Sequence, residues 1–225
     1  YDGDAASSDT TAYLAGAGLT WKVNRYLDAT ADLTYERTKY RSSADNNSLT
    51  ALADRSASVE VQTEGSAKAN LSAGFAQVEG TTKVEIESGA QLTAGQNIEL
   101  VAASKTGVSM TAAAAGQTDE VTGEANVASV VFAGSRSNIS TAVSVGANAL
   151  LTSVADTRLQ AFHASQYETS AEVTVYGGGT AGVVGALSLQ KSVTSAAVDG
   201  TVNAGGDVRV MAMNASVKNS ISATS

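Results

Sequence analysis

A glycine-rich stretch in the last quarter of the chain has the spacing of a cofactor-binding motif. Residues 172–190 are "EVTVYGGGTAGVVGALSLQ", in which Gly177, Gly179 and Gly182 form a G-x-G-x-x-G arrangement after a short apolar strand. In dinucleotide-binding proteins such glycines let a pyrophosphate approach the amino terminus of a helix, and an acidic residue further on contacts the ribose. Asp199 stands where that acidic residue would be.

The surrounding sequence argues against a cofactor at this motif. Two earlier stretches at the same place in a repeat, "ANVASVVFAGSRS" and "ANLSAGFAQVEG", lack it. No helical period with a charged face follows the glycines, and small residues beside β-branched ones favour a strand or a turn. We therefore expect no cofactor, and a tight turn with positive φ between two coils of a repeat.

Residue types that bind metals are sparse. His163 is the only histidine, so it cannot form a histidine-based zinc site. Its alignment near Ala102 predicts a structural position at or beside the edge of a coil. Asp207 in "AGGDVRV" lacks the periodic companions of a calcium-binding nonapeptide repeat, so no metal is expected. We attribute three N-x-S frames to chance in a Ser-rich chain: Asn70, Asn138 and Asn214.

Paired carboxylates are the remaining candidates for catalysis. A glycosidase needs two of them beside a bound sugar, and the pairs Asp119/Glu120 and Glu85/Glu87 have the required residue types. Such sites also carry aromatic or basic side chains for the sugar. Aromatics are rare in the repeat region, so we expect no enzymatic activity; those present are Phe75, Phe132, Phe162, Tyr167 and Tyr176.

Composition narrows the function classes further. The chain has 225 residues and a formal net charge of -8, which disfavours a nucleic-acid partner. It has no cysteine, so disulfides, thiolate nucleophiles and cysteine-ligated metals are excluded. The sequence contains no run of about 18 apolar residues, so we expect no transmembrane helix. The start at Tyr1 without a signal peptide predicts a mature chain or an excised fragment.

Residues 11–40 alternate between apolar and polar side chains. In "AYLAGAGLTWKV" and "RYLDATADLTYERTKY" the period of two predicts two long strands, joined by a tight hairpin at Asn24. The segment has one apolar face with aromatics near its ends and a charged opposite face. It resembles strands of bacterial outer-membrane β-barrels joined by an "NRYL" turn, which implies contact of this hairpin with a membrane. The alternative is a hairpin that covers one end of a soluble β-domain.

Repeats dominate the rest of the chain. "LTAGQNIELVAAS" and "VNAGGDVRVMAMN" match without a gap, a third copy starts at Val143, and a partial fourth is "LTALADRSASVEV", whose Ala-Asp pair at 53–54 echoes that at 155–156. The period of about 55 residues indicates a solenoid. Because each unit contains three or so short alternating runs, we expect about three coils of about 20 residues per unit. The inward positions are then Val84, Ile86, Leu92, Ile98, Leu100, Val108 and Met110.

The units "AQLTAGQNIELVA" and "GTVNAGGDVRVMA" resemble repeats of filamentous-haemagglutinin-like bacterial adhesins, over residues 49–225. The resemblance implies a right-handed parallel β-helix and an extracellular or cell-surface location, associated with a Gram-negative outer membrane. We therefore predict an all-β protein in two parts. Residues 1–48 form an antiparallel β-hairpin segment with a polar linker, and residues 49–225 form a β-helix of about three units.

The predicted function is that of a non-enzymatic structural or adhesin protein. It would be a rigid fibre or passenger segment that assembles with copies of itself, or that contacts a host surface, a neighbouring cell or a polysaccharide. Two alternatives stay open. One is an outer-membrane β-barrel formed by the whole chain, against which stand later strands without aromatic girdles and too short for a bilayer. The other is a β-helix that binds or cleaves polysaccharide.

Overall fold

The computed structural model describes residues 8–14, 19–24, 27–31, 35–42, 46–65, 69–116, 128–175 and 182–224. Within these ranges all regular structure is β and no helix occurs. The strands are β1 (Ser8–Leu14), β2 (Leu19–Asn24), β3 (Leu27–Ala31), β4 (Tyr35–Ser42), β5 (Asn47–Gly65), β6 (Ala69–Ile86), β7 (Gln91–Ala94), β8 (Ile98–Gly116), β9 (Ala128–Val145), β10 (Leu150–Ser153), β11 (Thr157–Val175), β12 (Gly182–Val198), β13 (Thr201–Ala204) and β14 (Val208–Thr224).

Strands β5 to β14 form a parallel β-helix with three sheets. The front sheet has the order β1-β4-β5-β8-β11-β14, the back sheet β6-β9-β12, and the short sheet β7-β10-β13. Every pairing between coils is parallel. The predicted all-β, parallel fold is confirmed. The alternative of an antiparallel barrel formed by the whole chain is wrong, because the described strands of residues 47–224 pair with one another in parallel.

Each repeat unit forms one wide coil. Asn47, Ile98, Thr157 and Val208 stack in the front sheet, so successive coils are 51, 59 and 51 residues apart. The prediction of about three coils of about 20 residues per unit is therefore wrong. The physical reason is that short alternating runs continue into one another: the runs "QNIELVA" and "TGVSMTA", expected as separate strands, both contribute to β8, a strand of 19 residues. The sequence suggested short strands, whereas the long strands of the structure span 17 to 19 residues.

The first coil belongs to the repeat, but its alignment differs from the expected one. Leu49 stacks on Leu100 in the front sheet. Ala53 therefore lies beside Ser104, and the expected equivalence of residues 53–54 with 155–156 is wrong. An Ala-Asp pair is too common in this composition to fix the alignment, whereas the apolar ladder fixes it through burial.

The amino-terminal strands form the predicted antiparallel hairpin, divided into four short strands. β1 pairs with β4, and β2 pairs with β3. Asn24 is the last residue of β2 and pairs with Leu27, so it belongs to the strand, and the prediction that Asn24 forms the turn is wrong. β4 also pairs antiparallel with β5, and it covers the first edge of the front sheet. The division of the chain at residues 48 and 49 stays a prediction.

The interior contains two hydrophobic clusters. The corner cluster lies next to the short sheet and includes Ile98, Leu100, Leu151 and Leu159. The far cluster lies at the other end of the long strands and includes Val108, Met110, Val131 and Tyr167. The predicted inward positions are confirmed: five of the seven are buried, while Ile86 and Leu92 are half-buried against the corner cluster. Stacked apolar ladders of this kind supply most of the favourable free energy of folding.

Asparagine and aspartate side chains stabilise the corner before each front strand. The Oδ1 atom of Asn46 accepts a hydrogen bond from the backbone N–H of Asn97 at 3.2 Å. The Oδ1 atom of Asn97 accepts one from Asp156 at 3.0 Å, and that of Asp156 accepts one from Asp207 at 2.9 Å. The match of Asn97 with Asp207 in the sequence therefore reflects a ladder, in which each side chain holds the backbone of the next coil.

The corner between the back and short sheets uses turn residues. Gly89 has φ of 76° and Asn148 has φ of 60°. Glycine adopts this left-handed conformation without strain, and asparagine tolerates it better than most residues. The N–H of Gly89 donates to the carbonyl of Ala147 at 3.0 Å, which joins successive coils at this corner.

Candidate functional site

The glycine motif does not form a described site. Gly177 and Gly179, where a turn is predicted, lie outside the described residues. Gly182 is the first residue of β12 and does not have positive φ. Asp199 follows β12, and its N–H donates to the carbonyl of Val145 at 2.9 Å. The described part of the motif serves coil stacking.

Glu85 and Glu87, the carboxylate candidates within the described residues, are not brought together in a cleft. Asp119 and Glu120 lie outside the described residues. Glu85 is exposed on β6, where its Oε2 atom forms an ion pair with Nζ of Lys83 at 2.6 Å. Glu87 is exposed just after β6. Neither glutamate lines the cavity described below. A sugar-cleaving pair at these two glutamates therefore has no supporting geometry.

Asp207 and one asparagine of the N-x-S frames, Asn214, take part in local contacts. Asp207 accepts a hydrogen bond from Arg209 at 3.1 Å. Asn138 is exposed on β9, and Asn214 donates to the hydroxyl of Ser192 at 2.5 Å. In the part of the chain that the structure describes, no group of three or more His, Asp and Glu side chains is placed to hold a metal ion.

A layer of buried polar side chains crosses the interior between the two hydrophobic clusters. We call it the polar seam. It joins the front and back sheets through the middle of their long strands, and its members are Arg55, Thr82, Ser104, Thr106, Thr141, His163 and Ser165. Buried polar groups destabilise a fold unless they are hydrogen-bonded, so the partners of these side chains decide what the seam does.

Arg55 forms the first-coil part of the seam. Its Nη1 donates to the hydroxyl of Thr82 at 2.9 Å and its Nη2 to the carbonyl of Thr81 at 3.0 Å. Gly80 leaves room for the guanidinium, since a Cβ at that position would collide with the Arg55 side chain. The arginine therefore bonds the front sheet to the back sheet directly across the core.

Ser104 is the hub of the seam. Its hydroxyl lies 2.5 Å from the hydroxyl of Thr141 in the back sheet and 2.8 Å from Nδ1 of His163 on the next coil. One side chain therefore links the two sheets and two successive coils. Because a hydroxyl donates once and accepts through two lone pairs, it can satisfy both partners.

His163 lies in the middle of the core, so the prediction that it sits at or beside a coil edge is wrong. Its side chain is 0 % exposed, and it pairs with Ser104 of the front sheet and not with Ala102. Burial lowers the pKa of the imidazole, the nearby Arg55 charge lowers it further, and a hydrogen bond to the backbone of Ser104 opposes both effects. The ring is therefore held neutral, with an Nε2 that has no hydrogen-bond partner among the described residues.

The contact between Ser104 and His163 has the residue types of a nucleophile and its base, but not the access. A catalytic serine must reach a substrate, whereas both side chains here are sealed between the sheets. Sequence reasoning missed the seam. The available signal was the alternation itself, which places Arg55 in an inward position between Ala53 and Ala57.

A shallow cavity lies on the outer face of the front sheet. It has a volume of about 350 Å³ and forms because the small residue Ala103 lies between Leu52 and Phe162 on the neighbouring strands. Asp54 and Lys105 line it two residues further along the strands of Leu52 and Ala103. The other aromatics that the sequence singled out are spread over the molecule. Phe75 and Phe132 are exposed on the back sheet and Tyr167 is buried, while Tyr176 lies outside the described residues.

The fold and the seam define the class of protein: a parallel β-helix with one wide coil per repeat and a partly polar interior. No protein-family model, curated protein or solved structure matches the chain. Among the described residues, no helix has the length and apolar character needed to cross a membrane.

Proposed function

We propose that the chain is a non-enzymatic structural segment of a bacterial cell-surface protein of the adhesin type. Its coils form a rigid spacer that presents long outer faces to a host surface, a neighbouring cell or a polysaccharide, and that associates with copies of itself. Its place is extracellular, associated with a Gram-negative outer membrane. The amino-terminal hairpin is the part expected to contact that membrane.

The observation that carries this proposal is that the recurring features of the described chain join one coil to the next. The apolar ladder includes Leu100 and Leu159, the corner ladder includes Asn97 and Asp156, and the seam includes Ser104. Stability in such a solenoid is the sum of the coils and their interfaces, which suits a spacer under mechanical load.

Single-molecule force spectroscopy tests the mechanical role. A chain tethered at both ends should unfold coil by coil, with length increments of about 170 to 210 Å, because each coil contains 51 to 59 residues. The variant Leu100→Ala should lower the unfolding force of the coils that it joins, and Leu187→Ala, on the exposed face of β12, should not. Unfolding at the lowest measurable force, without steps, would contradict the role of a rigid spacer.

The cavity on the front sheet favours a second candidate function, the binding of a polysaccharide. Phe162 supplies an aromatic face, Leu52 an apolar wall, and Asp54 and Lys105 supply polar groups that can bond hydroxyls. Sites for small ligands combine an apolar surface with a few convergent polar groups in this way.

A panel of soluble polysaccharides separates the two candidates. If the cavity binds sugar, calorimetry should give a measurable affinity that Phe162→Ala abolishes. Phe132→Ala removes an equally exposed aromatic from the opposite sheet and should leave the affinity unchanged. Binding that survives Phe162→Ala would exclude this cavity, and release of reducing ends would contradict the non-enzymatic role.

A further inference from the structure

The cavity on the front sheet stays open because of one methyl group. On the back sheet, Phe75 and Leu187 also lie on either side of a small residue, Gly134. There the ring of Phe75 covers the glycine, since a Cβ at Gly134 would be 2.6 Å from the Cδ2 atom of that ring. Ala103 carries such a Cβ, so the ring of Phe162 does not close the space beside it in the same way. The front sheet therefore keeps a gap that is one strand wide.

Two charged side chains beside the cavity have no protein partner. Asp54 and Lys105 have opposite charges, pair in the register of β5 with β8, and are both exposed. Among the described residues, neither side chain forms an ion pair or a hydrogen bond. Opposite charges on neighbouring coils do pair elsewhere, at 3.0 to 4.0 Å, in Glu79–Arg136, Glu99–Arg158 and Glu168–Lys218. The two charges at the cavity therefore stay available to a ligand.

These two charges suit a neutral ligand with hydroxyls on neighbouring carbon atoms. The carboxylate of Asp54 accepts hydrogen bonds only, and the ammonium of Lys105 donates them only. Their strands are about 4.8 Å apart, so one hydroxyl can donate to the first group while the adjacent hydroxyl accepts from the second. The two charges cancel at the site, and a chain with a net charge of -8 repels acidic ligands.

The rest of the cavity suits the apolar face of a sugar ring. Phe162 and Leu52 form its walls, and each side chain is 39 % exposed. A pyranose has a face of C–H groups that packs on an aromatic ring, and a rim of hydroxyls that stays free to bond. The volume of about 350 Å³ is near the lower end of the range for small-ligand sites, about 300–1,000 Å³. The cavity therefore has room for a sugar unit and not for a folded partner.

We propose that the cavity binds one unit of a neutral sugar, with its ring against Phe162 and two neighbouring hydroxyls between Asp54 and Lys105. The proposal rests on the second candidate function, the binding of a polysaccharide, and specifies the ligand as a neutral pyranose with a free vicinal diol. Hydrogen bonds to charged groups are about twice as strong as neutral ones. The diol contacts therefore select the sugar, and the aromatic contact adds affinity without selecting it.

Titration of the 225-residue chain with methyl glycosides tests the ligand. The probes are the methyl pyranosides of glucose, galactose and mannose, their uronic acid counterparts, and the 3-deoxy analogue of each neutral probe. The NMR amide signals of Ala103 and Lys105 report binding. We expect a neutral probe to bind with a dissociation constant on the order of 1 mM. Its 3-deoxy analogue lacks the hydroxyl shared by both vicinal diols and should bind more than about tenfold more weakly. Its uronic acid counterpart should bind more weakly at low salt, with a difference that salt reduces.

Variants separate the diol contacts from the shape of the cavity. Asp54→Ala and Lys105→Ala should each weaken binding more than about tenfold, because each removes one charged partner of the diol. Glu87→Ala and Lys191→Ala are the matched controls, since both side chains are exposed and neither lines the cavity. They should leave binding unchanged. Ala103→Leu fills the gap without altering either charge and should abolish binding. Circular dichroism should show the same β content in all five variants.

The outcomes distinguish this inference from the functions proposed above. Binding that is lost in Phe162→Ala but survives in Asp54→Ala or Lys105→Ala would overturn the diol contacts and keep a sugar site. Uronic acid probes that bind as tightly as neutral ones would overturn the neutral ligand, and 3-deoxy probes that do so would overturn the diol. If no probe binds, the sugar site and its ligand are both excluded, while coil-by-coil unfolding under force would still support the structural role.

Discussion

The corner cluster and the polar seam run side by side through the same coils, but they hold the coils together in different ways. In the cluster, successive rungs are alike: Leu49, Leu100, Leu159 and Val210 stack on one another. In the seam, successive rungs differ: Ala53, Ser104, His163 and Asn214.

The difference teaches how a repeat avoids mispairing of its coils. A coil that stacked in register on the wrong coil would keep an apolar ladder, because a leucine would still meet a leucine. The same mispairing would separate Ser104 from His163 and leave buried polar groups without partners, which costs about 1–3 kcal/mol for each group. We infer that the cluster supplies stability and that the seam specifies the order of the coils.

The largest effect should come from the cluster. Leu100→Ala removes a fully buried side chain and should lower the free energy of unfolding by about 2–5 kcal/mol. Leu187→Ala makes the same chemical change on an exposed face and should stay within about 0.5 kcal/mol of the parent chain. Urea unfolding followed by circular dichroism measures both. Equal losses in the two variants would break the comparison, since stability would then not depend on the ladder.

A glycine pair tests how tightly the seam is packed. Gly80→Ala drives a methyl group into Arg55, whose guanidinium is fixed by Thr82, so the free energy of unfolding should fall by up to about 3 kcal/mol. In Gly107→Ala the nearest atom to the new Cβ is 3.9 Å away, at Ser56, so this change should be neutral or stabilise by up to about 1 kcal/mol. If both variants unfold at the same urea concentration, the arginine is not held in place as described.

The hub of the seam should give a somewhat smaller effect. Ser104→Ala leaves Thr141 and His163 without their shared partner and should cost about 1–2 kcal/mol, against no measurable change for exposed Ser58→Ala. Adding Thr141→Val removes one of the two orphaned groups and should recover part of the loss. No recovery in the double variant would show that the loss comes from packing and not from hydrogen bonding.

The sequence predicted the parts of the fold that rest on burial. The all-β class and the inward positions of Ile98 and Leu100 followed from alternation and from the repeat, because a repeated apolar position has to face the same core in every coil. The number of coils per unit did not follow. Small residues such as Gly107 are common at turns, yet a parallel strand accommodates them when both neighbouring strands support its backbone.

The seam could be predicted only in part. Arg55 at an inward position indicates a polar layer, but its partners cannot be read from the sequence. Ser104 and His163 meet because they are 59 residues apart in a coil of that length, whereas the coils before and after it contain 51 residues. The offset depends on the whole coil, so no local pattern contains it.

Acid titration gives the smallest and most specific test of the seam. The pKa of His163 is held below its ordinary value by burial and by Arg55. As the pH falls, the unfolded chain therefore binds a proton at about pH 6.5, before the folded chain does. The contribution of the neutral ring is fully present above that pH and is lost as the pH falls towards the pKa of the folded state.

The free energy of unfolding should therefore fall more steeply between about pH 7 and 5 in the parent chain than in His163→Gln, because the carboxylates contribute equally to both. His163 is the only histidine, so its imidazole protons give an unambiguous NMR titration. A midpoint at or above about pH 6.5 would mean that the ring is solvated or paired with an acid. The polar seam would then be open to water, and its difference from the corner cluster would be one of accessibility and not of specificity.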